Sequence, residues 1–326
     1  MKICVTGAGG FIGSHLCEGL VESGFDVVAL CHYNSSGGFG WLDSSSYGSE
    51  MQRILGDVRD ESFMRSLLND CDVVYHLAAL IAIPYSYIAP SSYFDTNVSG
   101  TVSVLNAVLA NEGCRLVQMS TSEVYGTAQY VPIDEVHPLV AQSPYSASKI
   151  GADAAVVSYS KSLGLQSVIA RPFNTFGPRQ SARAIIPTVI EQILCNEGVI
   201  RVGSVTPTRS FNFVKQTVKG LVALTQLEDW SGEVFNIGVA EHYSVLETIE
   251  RLKTIAGVDW QIISDDVRLR PSKSEVQTLS CDSSKLQKNL RINLEDRFDQ
   301  GLRETFQWFQ EHRFQVSSAS RSGYKI

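Results

Sequence analysis

One short stretch constrains this fold more than any other. The apolar run Lys2-Ile3-Cys4-Val5 leads directly into Thr6-Gly7-Ala8-Gly9-Gly10-Phe11-Ile12-Gly13 and then into a helical pattern reaching about residue 23. Glycines at 7, 10 and 13 allow a tight turn, a close backbone approach to a pyrophosphate and close helix packing. A pyrophosphate there would rest on the helix N-terminus, against the amides around Phe11 and Ile12, where the macrodipole favours an anion. A glycine pattern alone is weak, and a ligand-free turn is the bland alternative. The strand-loop-helix setting favours the ligand.

A parallel sheet follows from the next 150 residues. Apolar runs at 2–6, 26–31, 52–55, 72–77, 115–119 and 167–171 alternate with helical patterns near 11–23, 60–69, 96–112 and 143–163. That alternation predicts an α/β fold: a Rossmann-like doubly wound parallel sheet with helices on both faces. Asn34 to Gly40, rich in Gly and Ser, reads as a loop. Beyond Pro172 the pattern breaks up at Pro178 and Pro187. The expected division is a dinucleotide-binding domain over 1–172, a smaller, mixed, interleaved region over 173–316, and a loose tail over 317–326.

Composition narrows the function. A formal charge of −7 over 326 residues argues against general nucleic-acid binding. No apolar run nears the roughly 20 residues that span a bilayer. The seven cysteines and six histidines are scattered, with no CxxC or Cys/His cluster, which predicts neither a disulfide framework nor a metal site. The expectation is a reduced, cytoplasmic protein with no membrane partner.

Several residues invite chemistry. Asp57-Val58 follow the third strand, where a carboxylate could hold an adenine amino group or simply cap a helix. His76-Leu77-Ala78-Ala79 ends the fourth strand with small residues suited to a dinucleotide lying on the backbone; His76 itself reads as a satisfied core histidine. The second strand ends on Cys31, where an acid would hold NAD ribose hydroxyls and repel NADP, so the residues leave that choice open. Tyr145 and Lys149 lie one turn apart on a helix face, and an ammonium there would lower the phenol pKa. Ser120-Thr121-Ser122-Glu123-Val124-Tyr125-Gly126 poses a question, because a carboxylate just past an apolar strand is costly if buried and unneeded if exposed.

These motifs together resemble one family. TGAGGFIG, GDVRD, HLAA, Asn97 in TNVSGT, STSEVYG, Tyr145-Ser146-Ala147-Ser148-Lys149 and RPFNTFGPR stand in the order of the extended short-chain dehydrogenases of the epimerase/dehydratase type. Within them the chain most resembles nucleotide-sugar 4,6-dehydratases of the legionaminic-acid-pathway kind. The resemblance implies NAD, a nucleotide-activated sugar substrate of the UDP- or GDP-linked GlcNAc type, and a homodimer built on a four-helix bundle. It gives the cofactor Gly7, Gly10, Phe11, Ile12, Gly13, Asp57, Val58, Leu77, Ala78, Ala79, Asn97, Tyr145 and Lys149. Tyr145 would take the proton of the C4 hydroxyl, Lys149 would hold the nicotinamide ribose, Thr121 would hydrogen-bond the reacting oxygen, and Glu123 would remove the C5 proton. Asn174, Arg209 and Arg270 match positions that hold the nucleotide diphosphate and ribose in the family; Arg179 and Arg183 are further candidates with a surface role as the alternative, and Ile186 and Pro187 would line the nucleotide-base slot.

One departure matters. Many 4,6-dehydratases carry Asp where Ser122 stands, and serine is a poor acid. Decarboxylases acting on UDP-glucuronate share the STSEVYG motif but need a cation for the substrate carboxylate, and Ile81 to Ser86 offers none. Simple 4-epimerases generally have small residues at 122 and 123. A non-catalytic cofactor-sensing module of this superfamily tends to lack the Tyr/Lys pair, which this chain keeps.

Overall fold

Seven parallel strands form the central sheet, and the first six follow the apolar runs closely. The computed structural model describes residues 1–269, 271 and 274–312. β1 (Lys2–Thr6) lies between β2 (Asp26–His32) and β4 (Val73–His76); β3 (Met51–Gly56) sits outside β2, and β5 (Arg115–Met119) and β6 (Ser167–Pro172) extend the other side. Helices cover both faces, so the strands are apolar almost throughout.

Side chains alternate between two cores. Ile3, Val5, Ala29, Tyr75 and Val117 pack with Leu16 and Leu20 of α1 (Phe11–Glu22) on one face. Cys4, Val28, Val74, Leu116 and Ile169 pack with Met64 and Leu68 of α2 (Glu61–Leu68) on the other. Each fully buried Val, Leu or Ile contributes roughly 1.5–3 kcal/mol.

The seventh strand comes from beyond Pro172. Ser231–Ile237 lies parallel to β6, pairing Val234 with Ile169 and Phe235 with Ala170. The rest of the C-terminal region carries short strand pairs, such as Gln261–Ser264 on Val199–Val202, and its own core around Phe176, Ile190, Phe213 and Phe298.

Two helices position the site. Pro144–Leu163 is started by Ser143, whose Oγ accepts from the Ser146 amide at 3.1 Å, and by Pro144 in the first turn. It ends at Gly164 with φ +72°, a left-handed cap. The helix running from Pro90 to Ala110 widens into a π turn over Asp95–Ser99. That widening carries Asn97, and such turns recur at functional sites.

Candidate active site

The glycine loop is built for close contact. Gly7 has φ +69°, and a Cβ there would stand 2.8 Å from the Ala78 nitrogen. A Cβ on Gly13 would stand 2.2 Å from the Gly7 carbonyl, so α1 packs directly on the loop. Gly10 precedes α1 with no side-chain cap. The amides of Phe11, Ile12 and Gly13, in the first turn, have no acceptor within the helix. The arrangement fits a pyrophosphate.

Thr6 ties the loop to the end of β4. Its Oγ1 accepts from the amides of Leu77 and Ala78, each at 3.1 Å, and hydrogen-bonds His76 Nδ1 at 2.8 Å. His76 Nε2 meets Thr101 Oγ1 at 3.2 Å, so the ring is satisfied on both sides. Burial, with Lys149 nearby, lowers its pKa to about 3. Asn97 clasps Leu80 through both amide and carbonyl, at 2.8 and 2.9 Å, and reaches Ser148 Oγ at 2.9 Å. Ala79 lies between these two anchorages.

Asp57 is engaged by its neighbour: Arg59 holds both carboxylate oxygens, and the pKa falls to about 2. Val58 is buried against Gly100. Cys31 is buried too, its thiol directed at the Phe39 carbonyl and pushed up to about 11 by burial.

The STSEVYG segment forms a tight turn beyond β5. Thr121 caps a 3-10 helix over Ser122–Tyr125, its Oγ1 accepting from the Glu123 amide at 3.2 Å. Tyr145 is buried, its ring 6.2 Å from that of Tyr93 in a T-shaped contact. Lys149 donates to the Met119 carbonyl at 2.6 Å. Ser122 is buried.

One expectation needs correcting. The phenol of Tyr145 is not lowered by the ammonium one turn away. Burial pushes it well above its ordinary value; the Thr121 hydroxyl opposes this, and Glu123, Tyr93 and Asp153 add smaller upward effects. Lys149 is desolvated too, its pKa lowered to about 8, and its ammonium is turned to Met119. Shared burial outweighs the shared charge.

Glu123 is half-buried, and its charge reaches the Tyr145 phenol. Its carboxylate makes no hydrogen bond or ion pair among the described residues. It caps nothing and meets no arginine there, so a structural role has no visible partner.

The predicted substrate residues part company. Asn174 presents a buried Oδ1 with no partner among the described residues. Arg183 is exposed, and its charge reaches Tyr93. Arg179 instead forks onto Glu18 of α1, both contacts at 2.9 Å, and onto Ser14 at 3.1 Å. Arg209 is buried against the carbonyls of Val276 and Thr208, at 2.7 and 2.9 Å. Ile186 and Pro187 are buried in the helix Ile185–Leu194, with Ile186 in the C-terminal core. Arg270 lies outside the described residues. Thr121, Glu123, Tyr145 and Lys149 thus gather with Tyr93 and Asn97, while Arg179 and Arg209 are spoken for. Sequence reasoning missed Tyr93, which carries no local signal, and Asp153, one turn past Lys149, which does.

This constellation can be set beside known proteins. The GDP-mannose 4,6 dehydratase family profile matches residues 4–305. The chain belongs to that family. A dTDP-glucose 4,6-dehydratase of Actinoplanes sp. is 31% identical over 320 residues, 96% of this chain and 99% of that protein. A UDP-N-acetyl-alpha-D-glucosaminuronate decarboxylase of Bacillus cytotoxicus is 28% identical over 324 residues, 95% of this chain and 98% of the other. The crystal structure of DesIV, a dTDP-glucose 4,6-dehydratase from Streptomyces venezuelae with NAD bound, superposes with a TM-score of 0.89 at 28% identity, covering 98% of this chain and 99% of that one. UDP-glucuronic acid 4-epimerase from Bacillus cereus, in complex with UDP-glucuronic acid and NAD, gives 0.85 at 30% identity, covering 95% and 99%. The fold is therefore that of the nucleotide-sugar dehydratases and epimerases. No described helix is long and apolar enough to cross a membrane.

Proposed function

We propose that this chain is an NAD-dependent nucleotide-sugar 4,6-dehydratase acting on a UDP- or GDP-linked GlcNAc-type sugar. The observation that carries the reading is Glu123: a carboxylate without a partner among the described residues, whose charge reaches the Tyr145 phenol. An epimerase has no use for a base there.

The glycine loop and first turn of α1 would hold the cofactor pyrophosphate, and Lys149 would hold its nicotinamide ribose. NAD, when bound, supplies a hydride acceptor at sugar C4 and later a hydride donor at C6. Tyr145 takes the C4 hydroxyl proton, with Thr121 aligning that oxygen. The resulting ketone acidifies the C5 proton, which Glu123 removes. The C6 hydroxyl leaves as water, taking through Ser122 the proton that Glu123 removed from C5; C5 is reprotonated from solvent and Tyr145 gives up its proton to solvent. The product is a 4-keto-6-deoxy sugar. Asn174 would contact the nucleotide diphosphate or ribose. The same reading implies a homodimer through the helices Gly100–Ala110 and Pro144–Leu163; light scattering giving the mass of one chain, 35.8 kDa, rejects it.

Arg183 supports a second reading. An exposed cation beside Tyr93 suits a sugar carboxylate, as a UDP-glucuronate decarboxylase requires. Mass spectrometry of products from UDP-GlcNAc, GDP-GlcNAc and UDP-glucuronate, each incubated with enzyme and NAD, separates these. Loss of water from a GlcNAc nucleotide supports the dehydratase. Loss of carbon dioxide from UDP-glucuronate supports the second reading. Unchanged mass with a new retention time means epimerisation and removes the role given to Glu123.

A further inference from the structure

Behind Tyr145 and Lys149 lies a buried ion pair that the chemistry above does not use. Asp153 is 3% exposed and Arg171 of β6 is 4% exposed. Tyr145, Lys149 and Asp153 follow at successive turns of one helix face. Every donor reaching the Asp153 carboxylate goes to the same oxygen. Ser120 Oγ lies 2.8 Å from Oδ2, Arg171 Nη2 3.0 Å and Arg171 Nε 3.2 Å. The other oxygen, Oδ1, is buried with no hydrogen-bond partner among the described residues.

A carboxylate oxygen left unpaired in a protein interior is unfavourable and calls for a reason. Rotation does not relieve it, because the anchor is itself anchored. Arg171 Nη1 donates to the Tyr125 hydroxyl at 3.1 Å, and that hydroxyl donates to Asn236 Oδ1 at 2.7 Å. Asn236 in turn donates to the carbonyls of Ile133 at 3.1 Å and Asp282 at 3.2 Å. The carboxylate is thus fixed from β6, from the STSEVYG turn and from the seventh strand.

We propose that Asp153 is a positioning residue for Lys149: held through Oδ2, it presents Oδ1 as the counter-charge that keeps the Lys149 ammonium protonated beside Tyr145. The ammonium has one proton on the Met119 carbonyl and two more to orient. Among the described residues no other anion acts on it. Asp153 acts on it from its own helix, the Met119 carbonyl at the end of β5 takes one of its protons, and Ser120, just past β5, is taken up by Asp153. His76 from β4 is neutral, and Arg171 from β6 reaches it only through Asp153. Glu123 acts on Tyr145 instead. Burial lowers the Lys149 pKa to about 8, and Asp153 is the charge that opposes this. Without Asp153, burial acts on Lys149 unopposed and drives its pKa further down.

The inference rests on the proposed role of Lys149 for its effect on turnover, but not for its effect on charge. Two readouts therefore test it. The first is the side-chain titration of Lys149 by NMR in lysine-labelled protein, assigned with Lys149→Met. The second is the pH profile of kcat. In Asp153→Asn the Lys149 midpoint should fall by at least about one unit, and turnover near the original midpoint by about ten-fold, with a much smaller loss at acid pH. Asp153→Glu should restore both. If Asp153→Asn does not fold, because Arg171 is left unpaired, Asp153→Asn combined with Arg171→Gln must show the same fall in midpoint. An unmoved midpoint in the variant that folds, or a loss of turnover uniform across pH, overturns the inference. A lowered midpoint in an enzyme that dehydrates no sugar leaves the inference standing and removes the proposed function. Normal dehydration with an unmoved midpoint does the reverse.

Discussion

Glu123→Gln separates chemistry from structure, because the native carboxylate is unpaired among the described residues. The amide has the same shape. The local backbone contacts, Glu123 amide to Thr121 Oγ1 at 3.2 Å and Gly126 amide to the Glu123 carbonyl at 3.3 Å, do not involve the carboxylate. No buried partner is orphaned, so stability should change by no more than about 0.5 kcal/mol. Turnover is another matter. Losing a general base slows the step on the order of 10²- to 10⁴-fold, which is about 2.7–5.4 kcal/mol on the barrier. Oxidation at C4 should survive, since Glu123 raises the pKa of Tyr145 and its neutralisation eases ionisation of that phenol. The assay pairs product formation and solvent-deuterium uptake at C5 with a thermal melt. Unchanged turnover refutes the base. A melting point lowered by more than about 4 °C shows a structural partner and refutes the reasoning from geometry.

Three further outcomes are expected. Tyr125→Phe keeps the ring but strands the Arg171 donor and the Asn236 acceptor, now 3.1 and 2.7 Å from the hydroxyl; urea unfolding should show a loss of about 2–4 kcal/mol. Gly13→Ala puts a methyl group 2.2 Å from the Gly7 carbonyl, so α1 must shift and NAD affinity measured by calorimetry should fall at least about ten-fold. His15 has its pKa lowered to about 4 by burial and by Arg179. The unfolded chain therefore binds more protons than the folded one below about pH 6.5. Stability drops as pH falls through that window, by about 3 kcal/mol at pH 4 from this residue; urea midpoints should decline less steeply in His15→Gln.

Much of this was open to reading from residue order. The six apolar runs became β1 to β6 because two-sided burial demands unbroken hydrophobicity, and the glycine spacing fixed the loop because only glycine tolerates the contacts at 7 and 13. Tyr145 and Lys149 were legible through helical spacing. What remained hidden depended on contacts between distant parts of the chain. Arg179 meets Glu18 across 161 positions, and nothing local marks either as the other's partner. Arg171 looked like one more apolar-strand residue until Asp153 and Tyr125 closed around it. The raised phenol of Tyr145 could not be foreseen, because depth of burial decides between the effect of a nearby cation and that of lost water. Ser231–Ile237 was passed over because its short run gave no sign that it pairs with a strand ending at Pro172.

That last pairing bears on how the molecule is made. Synthesis runs from the N-terminus, so β6 leaves the ribosome with its outer edge bare and stays so until Ile237 has followed. All six of its residues end up buried, and a bare apolar edge invites the wrong partner. The two portions of the polypeptide are therefore one cooperative unit. Cutting the gene after the sixth strand yields a fragment prone to clump rather than an independent cofactor binder, and a reporter meant to follow productive assembly belongs downstream of residue 237.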